Sequence, residues 1–218
     1  MFHYIEDKVF LKNMRSLCSR IINGLVQAIN NDDVMRVVAH LVGSGARKLE
    51  TQNNDEPIDL DYNLEIIDYS NNINNCMDIK EYVKKQFNKV LRKNHWSDCQ
   101  DSTSVLSTEY RYFTSGNDTS FKIDLAIVYE NPDKSWFRLI HEKTGLISSD
   151  RWFWNQGPNS QNLTNKVKYI KDHKGWQKVI DLYLDKKNFY LTRNDYDHPS
   201  FICYVEAVNE VYNKLGGK

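Results

Sequence analysis

Apolar residues recur along this chain with two different periods, and the changes from one to the other mark out its elements. Between residues 5 and 29, Val9, Met14, Leu17, Ile21, Leu25 and Ile29 fall at roughly helical spacing and predict an amphipathic first helix. The polar run Asn30, Asn31, Asp32, Asp33 closes it. Residues 36–42 (RVVAHLV) are short and β-branched, which predicts a buried strand. On such a strand His40 is expected to be a satisfied core histidine, not a ligand. A Gly43-Ser44-Gly45 turn follows, then a short helix over 46–49 and a loop over 52–57 (QNNDEP).

From residue 58 the alternation is strict. Ile58, Leu60, Tyr62, Leu64 and Ile66 point one way, and Asp59, Asp61, Asn63 and Glu65 point the other. Helical spacing returns over 77–94 with Ile79, Val83, Phe87, Val90 and Leu91. Strands are predicted over 104–114 and 120–130, joined by a Gly116-Asn117-Asp118 turn, and a fifth over 136–143. From about residue 150 the pattern turns helical: 162–174, 176–187 and 200–215. The last carries Phe201, Val205, Val208, Tyr212 and Leu215 on one stripe. The whole predicts an α+β fold, with a mixed sheet and flanking helices over 1–150 and a small helical region over 151–218.

Composition narrows the function classes. The 218 residues are 40% hydrophobic and 27% charged, ordinary for a globular chain. Lys and Arg balance Asp and Glu at 29 each, so no global field recruits nucleic acid or an anionic membrane. Cys18, Cys76, Cys99 and Cys203 are scattered, and the six histidines form no Cys/His cluster, which argues against structural zinc. No basic leader precedes an apolar segment, and no apolar run reaches membrane-spanning length. The expectation is a cytoplasmic protein with reduced thiols and no membrane partner.

Against that balance, residues 50–68 hold Glu50, Asp55, Glu56, Asp59, Asp61, Glu65 and Asp68 without a Lys or Arg. Like charges on one sheet face raise one another's pKa, so the pattern implies a cation supplied from elsewhere. Asp59 and Asp61 lie two apart on a strand, with carboxylates about 7 Å apart on one face. Asp124 sits between apolar neighbours on a second strand, FKIDLAIV. Three carboxylates on adjacent strands can hold two magnesium ions through oxygen ligands, with manganese an alternative. The Gly43-Ser44 turn adds backbone N–H groups and a hydroxyl suited to phosphate.

The order of these motifs, an apolar strand ending in Gly-Ser, then Asp-x-Asp on a strand, then a lone Asp on a later strand, resembles the DNA polymerase beta nucleotidyltransferase superfamily. GSGAR, IDLDYNLEI and FKIDLAIV are most similar to the branch holding oligoadenylate synthetases, bacterial cyclic-oligonucleotide synthases and poly(A) polymerases. The resemblance covers residues 36–130. It implies an NTP substrate, ATP or GTP, and a hydroxyl acceptor that could be a nucleotide, a small molecule, an RNA end or a protein. It implies that Gly43 and Ser44 meet the β- and γ-phosphates, that Asp59 and Asp61 bridge both metals, and that Asp124 ligates the catalytic metal and helps deprotonate the acceptor. Two less specific matches, VKYIKDH and HPSFICYVEAV, place Lys171 and Ser200 on the triphosphate.

Each motif alone has a plainer reading. Asp-x-Asp on a strand is usually a solvated face, Gly-Ser-Gly usually a turn, and Asp124 could pair with Lys122 or Arg111. The lysines of 166–193 read mainly as a solvated helix surface. RWFWNQ (151–156) reads as packing aromatics before it reads as a base-stacking platform. A non-catalytic protein of the same fold, serving a toxin–antitoxin, regulatory or defence system, is the competing function. Because the Gly-Ser turn should lie at the sheet's rim, Gly43→Val is expected to weaken nucleotide binding without unfolding the chain.

Overall fold

The computed structural model describes residues 1–71, 73–158, 162–193 and 198–217. The chain divides into two compact units. One comprises Glu6–Lys48 and Pro57–Pro158; the other takes in Met1–Ile5, Leu49–Glu56 and the helices from Leu163 onward. In chain order the elements are β1 (Phe2–Tyr4), α1 (Lys8–Asn30), β2 (Met35–Leu41), α2 (Gly43–Arg47), β3 (Thr51–Asn53), β4 (Ile58–Tyr69) and α3 (Cys76–Lys93). They continue with β5 (Gln100–Asp101), β6 (Leu106–Ser107), β7 (Phe121–Glu130), β8 (Trp136–Glu142), β9 (Arg151–Gln156), α4 (Leu163–Asp172), α5 (Trp176–Tyr190) and α6 (Ser200–Lys214). The architecture is the α+β one expected.

In the sheet unit the strands run β2-β4-β7-β6-β5, and β8 pairs with β7 and then with β9. β4 and β7 pair in parallel, which requires a long crossover, and α3 lies within it. The apolar side of β4 is buried at Ile58, Leu60, Tyr62 and Leu64, and the Tyr62 hydroxyl lies 3.0 Å from Ser19 Oγ of α1. Asp7 caps α1 by accepting the Phe10 N–H at 2.9 Å. Burying this face assigns the opposite, polar face of β4 to the site.

Several elements depart from the pattern in the sequence. In α1 the buried stripe runs through Phe10, Met14, Cys18, Ile21 and Leu25, while Val9 is on the solvent side. β2 is an edge strand, so its outward residues stay exposed, and His40 is no core histidine: its exposed ring pairs with Glu65 Oε2 at 2.8 Å. The strand expected over 104–114 is reduced to Leu106–Ser107 and an isolated bridge between Arg111 and Phe121, leaving Tyr110 and Tyr112 exposed. RWFWNQ is β9, not the start of the helical region. Its indoles pack, Trp152 stacking on His141 at 4.3 Å and Trp154 meeting Tyr129 edge-on at 4.7 Å.

In the helical unit, Leu49, Ile170, Val179, Tyr183, Cys203, Tyr204, Ala207, Val208 and Val211 form the core. The buried side of α6 therefore turns on Cys203, Tyr204, Ala207 and Val211, and of the expected stripe only Val208 is fully covered. β1 and β3 pair antiparallel. Four hydrogen bonds tie them to α5: Tyr4 Oη donates to the Ile180 carbonyl at 2.7 Å, Asn188 brackets the Phe2 backbone with two, and Lys187 Nζ donates to Thr51 Oγ1 at 2.6 Å. Among the described residues no helix is long and apolar enough to cross a membrane.

Candidate active site

The parallel register of β4 and β7 sets Asp61 opposite Asp124 and Asp59 opposite Lys122. Strand alternation then puts all four side chains on the face turned away from α1. The acidic run of 50–68 is split by the fold. Glu50, Asp55 and Glu56 belong to the helical unit, Glu65 pairs with His40, Asp68 lies at the far end of β4 opposite Arg36, and Asp59 and Asp61 remain beside Asp124.

Burial first, then the charges of Asp124 and Asp59, push the Asp61 carboxyl up to about 6, against the opposing pull of Arg138 and Lys122. The Lys122 ammonium lies 3.2 Å from Asp124 Oδ2 and 3.6 Å from Asp59 Oδ1. Burial disfavours its charge, but the two carboxylates outweigh burial and hold its pKa above the ordinary lysine value. Asp124 Oδ1 is buried with no hydrogen-bond partner. As the side chains stand, no three His, Cys, Asp or Glu among the described residues close into a metal-binding group. The orphaned Asp124 oxygen nevertheless fits a hard cation, which prefers carboxylate ligands and would satisfy it.

The Gly-Ser segment forms α2, a single helical turn that begins at Gly43 where the sequence suggested a turn with a helix after it. Val42 N–H donates to the Asp61 carbonyl at 2.9 Å, so this segment is anchored to β4 at the acidic residue itself. Gly43 has φ +62°, and a Cβ there would lie 2.3 Å from Asp61 Oδ2. Glycine is needed both for its backbone and for the close approach of that carboxylate. Gly43→Val would therefore strain the backbone and crowd Asp61 at this turn. Ser44 follows on the same turn and is partly exposed.

Lys171 and Ser200 lie in the helical unit. Lys171 is in the last turn of α4 with its Nζ 4.6 Å from the Trp176 ring centre, and Ser200 opens α6 behind Pro199. α4 and α6 run in the same direction: Lys166 Nζ donates to Asn209 Oδ1 at 2.7 Å and Tyr169 Oη to the Leu215 carbonyl at 3.2 Å. Lys171 is thus level with the end of α6, roughly 20 Å along the helix from Ser200 at 1.5 Å per residue. The structure does not bring the two together. Lys186 of α5 lies against the middle of α6, 3.2 Å from Glu206 Oε2 and 3.4 Å from Glu210 Oε2.

Sequence reasoning also passed over a buried polar chain in the sheet unit. Lys80 Nζ, on a side chain only 2% exposed, meets Asp101 Oδ1 at 2.6 Å, and His141 joins Asp101 Oδ2 at 2.9 Å to Asp150 Oδ2 at 3.0 Å. Burial opposes the charge on Asp101, yet Lys80 and His141 hold its carboxyl below the usual range. Its members are spread over 70 positions, from 80 to 150, and no local spacing announces them.

No protein-family model matches the chain, and no curated protein matches it. Solved structures do. That of E. coli MS115-1 CdnC with ATP aligns with TM-score 0.59 and 13% identity, over 94% of this chain and 61% of that one. The E. coli MS115-1 CdnC complex with HORMA-deltaN aligns with TM-score 0.56 and 14% identity, over 94% and 60%. The chain spans about three-fifths of the length of these structures, and at such identities the likeness is one of fold. The chain thus shares its α+β fold with CdnC.

Proposed function

We propose that this chain is a nucleotidyltransferase that transfers a nucleoside monophosphate from an NTP to a hydroxyl, with release of pyrophosphate. The observation that carries this reading is the pairing of Asp61 with Asp124 across β4 and β7, with Asp59 on the same face and Gly43 packed against Asp61. CdnC has been solved with ATP, which supports ATP among the candidate substrates. Asp59, Asp61 and Asp124 would hold two divalent cations, magnesium or manganese. When bound, such ions acidify the attacking hydroxyl and neutralise the leaving pyrophosphate. The acceptor oxygen bonds to the α-phosphorus, the bond to the bridging oxygen breaks, and Asp124 takes the hydroxyl proton. Ser44 donates its hydroxyl hydrogen to a β- or γ-phosphate oxygen. Lys171 and Ser200 are proposed for the triphosphate on the resemblance alone; Ser200→Ala and Lys171→Ala, compared for NTP affinity, test each.

The decisive measurement is pyrophosphate release from each labelled NTP with magnesium or manganese, with and without added RNA. Release that disappears in Asp124→Asn supports the proposal; no release from any NTP with either metal overturns it. One observation favours a second reading, a non-catalytic protein of this fold in a regulatory, toxin–antitoxin or defence system. The Lys122 ammonium already neutralises part of the carboxylate cluster. That reading expects the same nucleotide binding in wild type and Asp124→Asn, with turnover in neither.

A further inference from the structure

We propose that Lys122 is a tethered competitor of the divalent cation, occupying the carboxylate cluster until a cation displaces it and so setting the cation concentration at which the site loads. The inference rests on the metal-binding part of the function proposed above. It adds a role for a residue that the catalytic motifs do not include.

The placement follows from the strand register. Lys122 stands opposite Asp59 and two residues before Asp124, so its side chain shares the carboxylate face. Its side chain is 19% exposed and that of Asp124 15%, so the pair is shielded from solvent and is not a loose surface bridge. The ammonium contacts Asp124 Oδ2 and Asp59 Oδ1, leaving Asp124 Oδ1 buried without a partner. An ammonium is therefore an incomplete occupant of this cluster.

A hard divalent cation would approach a carboxylate oxygen to about 2.1 Å. A cation taking Asp124 and Asp59 as ligands would claim the oxygens that Lys122 now holds, and two positive charges at that spacing repel strongly. Lys122 must swing away for the cation to enter. The apparent dissociation constant is then the intrinsic one divided by the fraction of molecules in which the ammonium has already left. If Lys122 occupies the cluster about nine-tenths of the time, its removal tightens cation binding roughly tenfold. The same ion pair holds the carboxylates together when no metal is present, so its loss should also lower the metal-free melting temperature.

The test uses the full chain without nucleotide. Manganese affinity is measured by electron paramagnetic resonance in wild type, Lys122→Gln and Arg138→Gln. Arg138 is the control because its positive charge also acts on Asp61. Expected are roughly tenfold tighter manganese binding in Lys122→Gln, a lower metal-free melting temperature in that variant, and little change in Arg138→Gln. Unchanged or weaker binding in Lys122→Gln overturns the inference and leaves the metal site standing. Equal tightening in both variants overturns it in favour of a diffuse field. No manganese binding in either wild type or Lys122→Gln overturns the metal reading itself. A second measurement needs no variant: reductive methylation read by mass spectrometry should show Lys122 becoming more reactive as manganese is added to wild type. Reactivity that does not change while manganese binds also overturns the inference.

Discussion

Asp61→Asn offers the sharpest test of the electrostatics at the site, because it removes one charge and keeps the shape against Gly43. Asp61 is pushed from the ordinary 3.8 to about 6 by burial and then by Asp124 and Asp59. The folded state therefore holds this proton more tightly than the unfolded chain does. The stability so contributed is fully present below 3.8 and is lost as pH rises through about 6. The shift corresponds to about 3 kcal/mol at neutral pH. For a chain of this size each kcal/mol moves the melting temperature by about 2–4 °C. In chelator, Asp61→Asn should match wild type near pH 4 and melt roughly 6–12 °C higher near pH 7.5. Calorimetry across that range, with and without magnesium, reads both arms. Magnesium should stabilise wild type in a concentration-dependent way, by about 2.7 kcal/mol at a hundred times its Kd, and have no effect on Asp61→Asn. A variant less stable than wild type near neutrality, or a difference independent of pH, would refute the reasoning.

Asp124→Asn should cut pyrophosphate release by orders of magnitude while equilibrium NTP binding survives, since Asp59 and Asp61 still hold the nucleotide's cation. Ser44→Ala should weaken NTP binding by about 1.5–3 kcal/mol, the value of one hydrogen bond to a charged group, and spare NMP binding; equal losses for both nucleotides would remove Ser44 from the triphosphate. Gly43→Ala should lower stability by at least about 1–2 kcal/mol, the cost of a left-handed backbone with a side chain; Asp61→Ala should recover part of the loss in a double-mutant cycle by relieving the contact. In the buried chain, Lys80→Met should cost about 3–5 kcal/mol in chemical denaturation without altering nucleotide affinity, because it strips Asp101 of its cation far in sequence from the Gly43-Ser44 turn.

The alternation of β4 was legible from sequence alone, because a two-residue period is a local property and one buried face forces it. Asp59 and Asp61 could be named as paired carboxylates on the polar face of that strand, and Asp124 as a lone charge between apolar neighbours on another. Local spacing could not show which strands are neighbours. The partnership of Asp61 with Asp124, and of Asp59 with Lys122, exists only because β4 and β7 pair in parallel after a crossover. The fate of His40 turned on which face of β2 is covered: Met35 and Val37 are buried on one, while His40 on the other stays exposed. The residues of β1 and the stretch after Lys48 carry no sign that they join the helical unit; Tyr4 and Thr51 find α5 by bonds reaching across more than a hundred residues. Lys171 and Ser200 were each placed correctly on a helix, but the distance between them depends on which helices pack and in which direction. Periodicity is written residue by residue, whereas register, edge position and helix direction are settled by the free energy of closing the whole chain around its cores, and those are what decided how the acidic face of this protein is built.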